Sequence, residues 1–298
     1  MKSALILGST GMLGYGLLSS IVKYNDVKVA ATVRSKKVLN KIKKKYPYNQ
    51  IKKYHILDVL KIEQKNLYEL TSKYDYVINC IGIIKPQINI TSAESIKNAI
   101  YINSVFPKIL SDALLETKIK IFQIATDCVF SGMRGKYDEK SIHDDTDLYG
   151  VSKSLGEIKN NNFYNLRTSI IGREFETKKS LLEWFLNNKN VSPLRGFENH
   201  YWNGLTTNAF GEIIYTLIKN KIEIPNTIHI VPKDIVNKYE LLQIFNEKYN
   251  MKFKIKKFKT ETKVDRSLNS IYSKKLKLIW ESSIFKSQPK IKNMIDII

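Results

Sequence analysis

Five short apolar runs alternate with four longer amphipathic stretches in the first half of the chain. The strand-like runs are Ala4–Leu7, Val27–Val33, Lys53–Leu57, Tyr76–Cys80 and Ile119–Ala125. The helix-like stretches are Met12–Tyr24, Lys36–Lys45, Glu63–Ser72 and Glu94–Glu116. Strands that alternate with helices form right-handed βαβ units, so the pattern predicts an α/β fold with a doubly wound parallel sheet.

The alternation becomes irregular after Thr168. Helices are predicted there over Ser180–Asn188, Asn208–Ile218 and Lys238–Lys248, and short strands near Thr227–Val231 and Phe253–Ile255. This part of the chain is predicted to be a smaller, mixed α/β region packed on the carboxyl edge of the sheet, with some segments returning to the sheet.

The net charge of +21 raises nucleic acid as a partner, but the kind of basic residue argues against it. Only six of the 49 basic residues are Arg, the residue favoured for bidentate contacts with phosphates and bases. The charge is interpreted as solvated Lys with a general attraction for anionic ligands, and no nucleic-acid partner is expected.

Cysteine and histidine are too sparse to form a metal cluster or a disulfide framework. Cys80 and Cys128 are the only cysteines, and the four His lie far apart. The apolar run after Met1 is too short for a signal peptide, and no run reaches the length of a membrane span. The expectation is a cytoplasmic protein without a metal; its oligomeric state, a homodimer included, is left open.

A glycine-rich turn, Gly8-Ser9-Thr10-Gly11-Met12-Leu13-Gly14, follows the first strand and opens the first helix. Small residues permit a tight turn there, and the free N–H groups of a helix N-terminus face the pyrophosphate of a dinucleotide. The turn therefore predicts a Rossmann-type dinucleotide site.

The end of the second strand distinguishes between the two nicotinamide cofactors. An acidic residue at this point would bind the ribose of NAD, but the run is Thr32-Val33-Arg34-Ser35-Lys36. NADPH is therefore the expected cofactor, with NADH possible. Asp58 after the third strand is either an adenine contact or a turn cap.

Tyr149 and Lys153 are four residues apart and share one face if their segment is helical. Thr126 ends the fifth strand, 23 residues before Tyr149, at the edge where ligands bind in such folds. A hydroxyl donor with a Tyr/Lys pair suits carbonyl reduction, because the developing alkoxide needs a proton and hydrogen bonds.

These motifs together resemble an extended short-chain dehydrogenase/reductase, and within it the dTDP-4-dehydrorhamnose reductase-like group of nucleotide-sugar 4-reductases. The resemblance is carried by the glycine turn, Asn79–Gly82, Asn103, Ala125–Gly132, Tyr137–Glu139 and Tyr149–Glu157. Leu166–Gly172 and Asn203–Thr207 extend it over most of the chain. It implies NADPH-dependent reduction of the 4-keto group of a nucleotide-activated (6-deoxy)sugar, in surface-polysaccharide sugar biosynthesis.

By this resemblance, Thr126 hydrogen-bonds the sugar carbonyl, Tyr149 donates the proton, and Lys153 lowers the Tyr149 pKa and holds the nicotinamide ribose. The residues expected along the cofactor are Gly8, Thr10, Gly11, Met12, Leu13, Gly14, Arg34, Asp58, Val59, Asn79, Cys80, Ile81, Gly82, Asn103, Tyr149 and Lys153. Those expected at the substrate are Asp127, Cys128, Val129, Arg167, Arg173 and Trp202. Either arginine could pair with the substrate diphosphate or with a surface carboxylate of the chain. Trp202 could be a platform for the sugar or base, but an ordinary core position suits it better.

The domain division that follows has an NADP-binding Rossmann domain with the catalytic residues over 1–167 and a mainly substrate-binding region over 168–298. Three alternatives stay open. Cys128 occupies the position of a Cys that GDP-fucose synthases use with a His for epimerisation, so a bifunctional epimerase/reductase is one. The others are a nucleotide-sugar 4-epimerase and a non-catalytic NADP-sensing regulator.

Overall fold

The structure is a computed structural model that describes residues 1–46, 51–176, 179–188 and 193–298. In the first half the strands are β1 (Lys2–Leu7), β2 (Val27–Val33), β3 (Lys53–Ile56), β4 (Tyr76–Asn79), β5 (Lys120–Ala125) and β6 (Phe163–Arg167). The helices are α1 (Met12–Ile21), α2 (Lys36–Lys45), α3 (Gln64–Thr71), α4 (Ala93–Ile100), α5 (Phe106–Ala113) and α6 (Leu148–Leu155).

The second half contributes shorter elements. Its strands are β7 (Ile170–Ile171), β8 (Leu194–Phe197), β9 (His200–Trp202), β10 (Leu205–Thr206), β11 (Thr227–His229), β12 (Val236–Asn237), β13 (Ile255–Phe258) and β14 (Val264–Asp265). Its helices are α7 (Leu181–Asn187), α8 (Thr207–Lys219), α9 (Lys238–Lys248), α10 (Ser273–Ser282) and α11 (Ile291–Ile295).

The central sheet has seven parallel strands in the order β11-β6-β5-β4-β1-β2-β3. This arrangement confirms the predicted doubly wound α/β fold. β11 comes from the second half and pairs with β6 at one edge. The other strands of the second half form small sheets of two or three strands, with the orders β10-β7, β12-β9-β14 and β13-β8.

The sheet is buried on both faces, and β1 shows why its sequence is uniformly apolar. Ala4 and Ile6 belong to one hydrophobic cluster, while Leu5 and Leu7 belong to the other. Because side chains alternate across a strand, each face of β1 buries its own pair. No helix within the described ranges is long and apolar enough to cross a membrane.

The prediction of a single long helix over Glu94–Glu116 is wrong in one detail. A π-helical turn, Tyr101–Val105, separates α4 from α5. Pro107 lies in the first turn of α5 and has no N–H to donate to the carbonyl of Asn103, one turn earlier, so the regular ladder is interrupted there. The interruption lies next to the candidate site, because Asn103 belongs to this turn.

Candidate active site

The glycine-rich turn lies between β1 and α1 and is fixed by the neighbouring strand. Gly8 has φ +75°, and a Cβ there would lie 2.7 Å from the Ile81 side chain, so both the turn and the close approach require glycine. The Gly8 N–H donates to Thr32 Oγ1 at 2.9 Å, and the Ser9 hydroxyl donates to the Thr32 carbonyl at 2.8 Å. The end of β2 thus holds the turn in place.

The N-terminus of α1 suits a pyrophosphate. Gly11 is its N-cap, no side chain caps it, and its first turn carries no acidic residue. Gly11 is exposed and Thr10 and Met12 are half-buried, while Leu13 and Gly14 are buried below them. Uncapped N–H groups at an open helix end stabilise an anion, so these residues fit a dinucleotide.

Arg34 extends from the end of β2 as an exposed cation, and no described residue forms a hydrogen bond or ion pair with it. Ser35 beside it caps α2 by accepting from Val38 N at 3.4 Å. Asp58 accepts from Leu60 N at 3.2 Å, which is the turn-cap role, and Val59 is buried in the core. The adenine contact for Asp58 and the cofactor contact for Val59 stay predictions.

Asn103 supports the cofactor loop through its hydrogen bonds, as expected of it, and its direct contact with the cofactor stays a prediction. Its Oδ1 accepts from Ile83 N at 2.9 Å, and its Nδ2 donates to Ile83 O and to Ser152 Oγ, each at 3.0 Å. The side chain is 1% exposed. It joins the loop of Cys80, Ile81 and Gly82 to the helix that carries the Tyr/Lys pair.

Tyr149 and Lys153 lie on α6, close to the 3-10 turn (Asp127–Val129) that follows Thr126. Asp147 caps the helix by accepting from Gly150 N at 3.0 Å. A Cβ on Gly150 would lie 2.4 Å from the Cys128 carbonyl oxygen, so this glycine permits the close approach of helix and turn. The structure thus brings Thr126, Tyr149 and Lys153 into one site.

The Thr126 hydroxyl lies between an acid and the Tyr149 phenol. It donates to Asp127 Oδ1 at 3.2 Å. Burial raises the pKa of Tyr149, and the neighbouring Cys128 and Asp127 raise it further, although the Thr126 hydroxyl lowers it. The phenol therefore keeps its proton at neutral pH, which suits a proton donor.

Lys153 is buried, and its pKa lies close to the pH range in which enzymes work. Its Nζ donates to the Ile124 carbonyl oxygen at 2.8 Å. Burial lowers the pKa of Lys153 to about 8, although Glu157 and Cys80 act in the opposite direction. The expectation that Lys153 lowers the Tyr149 pKa is not met in this structure, because burial of the phenol dominates.

The Cys128 thiol is partly buried beside this group. Burial and the neighbouring Asp127 carboxylate raise the pKa of Cys128 to about 12. His200, the second group that the epimerase alternative needs, lies 2.8 Å from Thr260 Oγ1 through its Nε2 and stacks on Phe197. The Cys128 thiol therefore keeps its proton at neutral pH, and among the described residues no hydrogen bond joins it to His200.

The prediction that Arg167 contacts substrate is wrong. The Arg167 side chain is 2% exposed and forms a salt bridge with Glu157 through both Nε and NH2. It also donates to Nε2 of His229 at 2.6 Å and to Nε2 of His143 at 2.8 Å. Its donors join β6 to β11 and to the segments on either side of α6, and they are not directed at a ligand.

Three other predicted substrate residues have structural partners. Arg173 pairs through its Nε with the buried Glu183 at 2.9 Å. Trp202 is 4% exposed and Val129 is 1% exposed, which places both in the core. Trp202 therefore takes the core position that the sequence also allowed, and not that of a platform for the sugar.

The model of one protein family, described as the RmlD substrate binding domain, matches residues 1–298. The chain belongs to this family. The resemblance stated from the sequence motifs is thereby confirmed. No curated protein matches the chain in sequence.

Solved structures resemble this family member over nearly its whole length. A dTDP-4-dehydrorhamnose reductase from Clostridium acetobutylicum is 20% identical with TM-score 0.73, covering 99% of this chain and 97% of that one. The Bacillus anthracis dTDP-4-dehydrorhamnose reductase in complex with NADP is 17% identical with TM-score 0.73, covering 99% and 98%. The Bacillus cereus UDP-glucuronic acid 4-epimerase in complex with NAD is 15% identical with TM-score 0.73, covering 99% and 94%. At these identities the likeness shows the fold.

The sequence analysis missed two cations of this RmlD-family protein that lie beside Asp127. Arg266 donates to the Phe130 carbonyl and to Asp145, each at 2.7 Å. Lys238 lies over the Trp202 ring, with Nζ 5.4 Å from the centroid. Both come from the second half, more than 100 positions beyond Asp127. No local pattern in the sequence connects them with the site.

Proposed function

We propose that the protein reduces the 4-keto group of a nucleotide-activated (6-deoxy)sugar with NADPH. The observation that carries the proposal is the grouping of the Thr126 and Tyr149 hydroxyls with Lys153 at the carboxyl edge of the sheet. The open glycine turn lies at the same edge. The family and the names of the two similar reductases, one of them bound to NADP, support this substrate class.

When bound, NADPH would supply a hydride to the carbonyl carbon. The turn from Gly8 and the N-terminus of α1 would hold its pyrophosphate, and Arg34 its 2′-phosphate. Tyr149, kept neutral by burial, donates its proton to the alkoxide oxygen as it develops. Thr126, whose hydroxyl proton is directed at Asp127 in the structure, would turn it to the same oxygen, while the Lys153 ammonium favours negative charge at this end of the site.

The test is the loss of NADPH absorbance with a panel of 4-keto-6-deoxy sugars carried on dTDP, UDP, GDP or CDP. Turnover with one of them supports the proposal. If no sugar is reduced while NADPH binds tightly, the protein is a sensor of NADPH, and the proposal is overturned. The complete set of Thr126, Tyr149 and Lys153 argues for catalysis, because a sensor can dispense with it.

Replacing Arg34 with Asp is expected to lower the preference for NADPH over NADH about tenfold in the ratio of kcat/KM. The reason is loss of one charge-assisted hydrogen bond to the 2′-phosphate at an exposed position. Lys37→Asp, with the same change of charge on an exposed residue of α2, is the matched control. Equal kcat/KM for both cofactors in the wild type contradicts the assignment of Arg34.

Cys128→Ser is expected to retain most of the reductase activity and to give a product of the same configuration. A thiol of pKa about 12 is a thiolate in roughly one molecule in 10⁵ at pH 7, too few for an essential base. Product configuration by NMR is the measurement. A different epimer, or loss of more than about a hundredfold in kcat, favours the bifunctional epimerase/reductase instead.

A further inference from the structure

Lys238 is a cation beside the candidate substrate site that no described residue binds through a hydrogen bond or an ion pair. It is the first residue of α9, and its Nζ lies 5.4 Å from the centre of the Trp202 ring. Burial lowers the pKa of Lys238, while the nearby Asp127 carboxylate and Cys128 thiol raise it. These two neighbours directly follow Thr126, so the ammonium lies at the carbonyl end of the site.

Two local costs oppose a lysine at this position. A cation in the first turn of a helix faces the positive end of the helix dipole, and partial burial removes water from the ammonium. Nor does the helix need it, because Asn237 and Glu240 already form a capping box at distances of 2.9 Å. An ammonium that is held against both costs, with a ring face and no hydrogen-bond acceptor of the described residues against it, points to a ligand.

Two neighbouring basic side chains, Arg266 and His200, differ from Lys238 because the protein itself supplies their hydrogen-bond partners. Arg266 donates to Phe130 O and to Asp145 Oδ2, and His200 bonds Thr260. The pKa of His200 is lowered by burial and by the charges of Lys238 and Arg266, so His200 is neutral at pH 7. Among these three groups, Lys238 is the one whose donors are open to a substrate.

We propose that Lys238 is a specificity-determining residue whose ammonium binds an oxygen substituent on the sugar ring of the substrate. The inference rests on the proposed function. A diphosphate is disfavoured as its target, because the Asp127 carboxylate next to Lys238 would repel it. A sugar hydroxyl or a ring carboxylate suits the pair, since the sugar can donate to Asp127 and accept from Lys238.

The test uses Lys238→Met, which keeps the length of the side chain and removes its charge. Calorimetric titrations in the presence of NADP⁺ compare dTDP-glucose, UDP-glucose and GDP-mannose with dTDP, UDP and GDP alone. Lys238→Met is expected to weaken binding of the nucleotide sugar that binds most tightly 10- to 100-fold, and binding of the corresponding nucleotide by less than twofold. Lys238→Arg should recover part of the loss, and Lys257→Met, which removes an exposed cation over the Tyr239 ring, should change neither.

Thermal unfolding of the ligand-free variants supplies a second readout. Lys238→Met should unfold at the same temperature as the wild type or about 1–3 °C higher, because both local costs are relieved. A lowered melting temperature with a parallel loss of NADP⁺ affinity means a structural role and overturns the inference.

The outcomes also separate the two proposals. If the wild type reduces a 4-keto sugar and Lys238→Met binds nucleotide sugars as tightly, the role of Lys238 fails and the proposed function stands. If Lys238→Met weakens binding of the nucleotide alone as much as binding of the nucleotide sugar, Lys238 contacts the diphosphate, and the proposed sugar contact is overturned. If the wild type binds none of the nucleotide sugars and reduces none, the proposed function falls, and the inference falls with it.

Discussion

Tyr149→Phe is expected to lower kcat by about 10²- to 10⁴-fold and to leave NADPH affinity nearly unchanged. The phenol is the proton donor of the proposed mechanism, and general acid catalysis contributes a factor of this size. Phe keeps the ring and its packing, so the loss should lie in kcat. Steady-state NADPH oxidation and fluorescence titration with NADPH measure the two quantities.

Tyr68→Phe is the matched control, because Tyr68 is an exposed phenol on α3 and the same hydroxyl is removed. Its kcat should equal that of the wild type. A Tyr149→Phe enzyme that reduces its sugar at the wild-type rate would refute the assignment of the proton donor.

Lys153→Met is expected to impair both steps, with kcat lowered at least a hundredfold and the Kd for NADPH raised about tenfold or more. One buried ammonium serves both the charge that develops at the carbonyl and the ribose of the cofactor. Lys159→Met is the control, because Lys159 is an exposed lysine shortly after the end of α6. Thermal unfolding checks that both variants fold.

The pH dependence of kcat/KM for NADPH tests the role of Lys153 separately, because a folding defect in a variant would not produce it. With a pKa of about 8, the Lys153 side chain is a charged ammonium below that pH and a neutral amine above it. The kcat/KM for NADPH, which reports groups of the free enzyme, should therefore be level below pH 8 and fall above it. Lys153→Met should lack this fall; a wild type whose kcat/KM stays constant to pH 9.5 contradicts the role.

The sequence predicted β1, β2, β4 and β5 well because each is a largely apolar run. β1 and β2 are buried on both faces, and the predicted strand over Val27–Val33 matches β2. β6 was not predicted, since its sequence carries Asn165 and Arg167. Apart from β11, which lies within the predicted strand over Thr227–Val231, the short strands of the second half had no such signal. β12 and β14 are two residues long, and each pairs with β9. Their formation depends on tertiary packing, which periodicity does not report.

The site was predicted where its residues follow strands or share a helix, as Gly8, Thr126 and the Tyr149/Lys153 pair do. Arg167 also ends a strand, but its guanidinium is bound by Glu157 and two histidines that lie 24 and 62 positions away. A buried arginine of this kind looks the same in sequence as one that binds a phosphate. For Lys238, which we propose as a substrate-binding residue, nothing beside it in the sequence indicates such a role.

The most direct test of the proposed chemistry follows the hydride itself. NADPH deuterated on the transferred side of its nicotinamide is incubated with the enzyme and a 4-keto-6-deoxy nucleotide sugar, and the product is examined by mass spectrometry and proton NMR. The structure predicts one deuterium at C4 of the sugar for each NADPH consumed, with little product from Tyr149→Phe in the same time. Consumption of NADPH without deuterium at C4, or deuterium at another carbon, would contradict the assignment of a 4-ketoreductase.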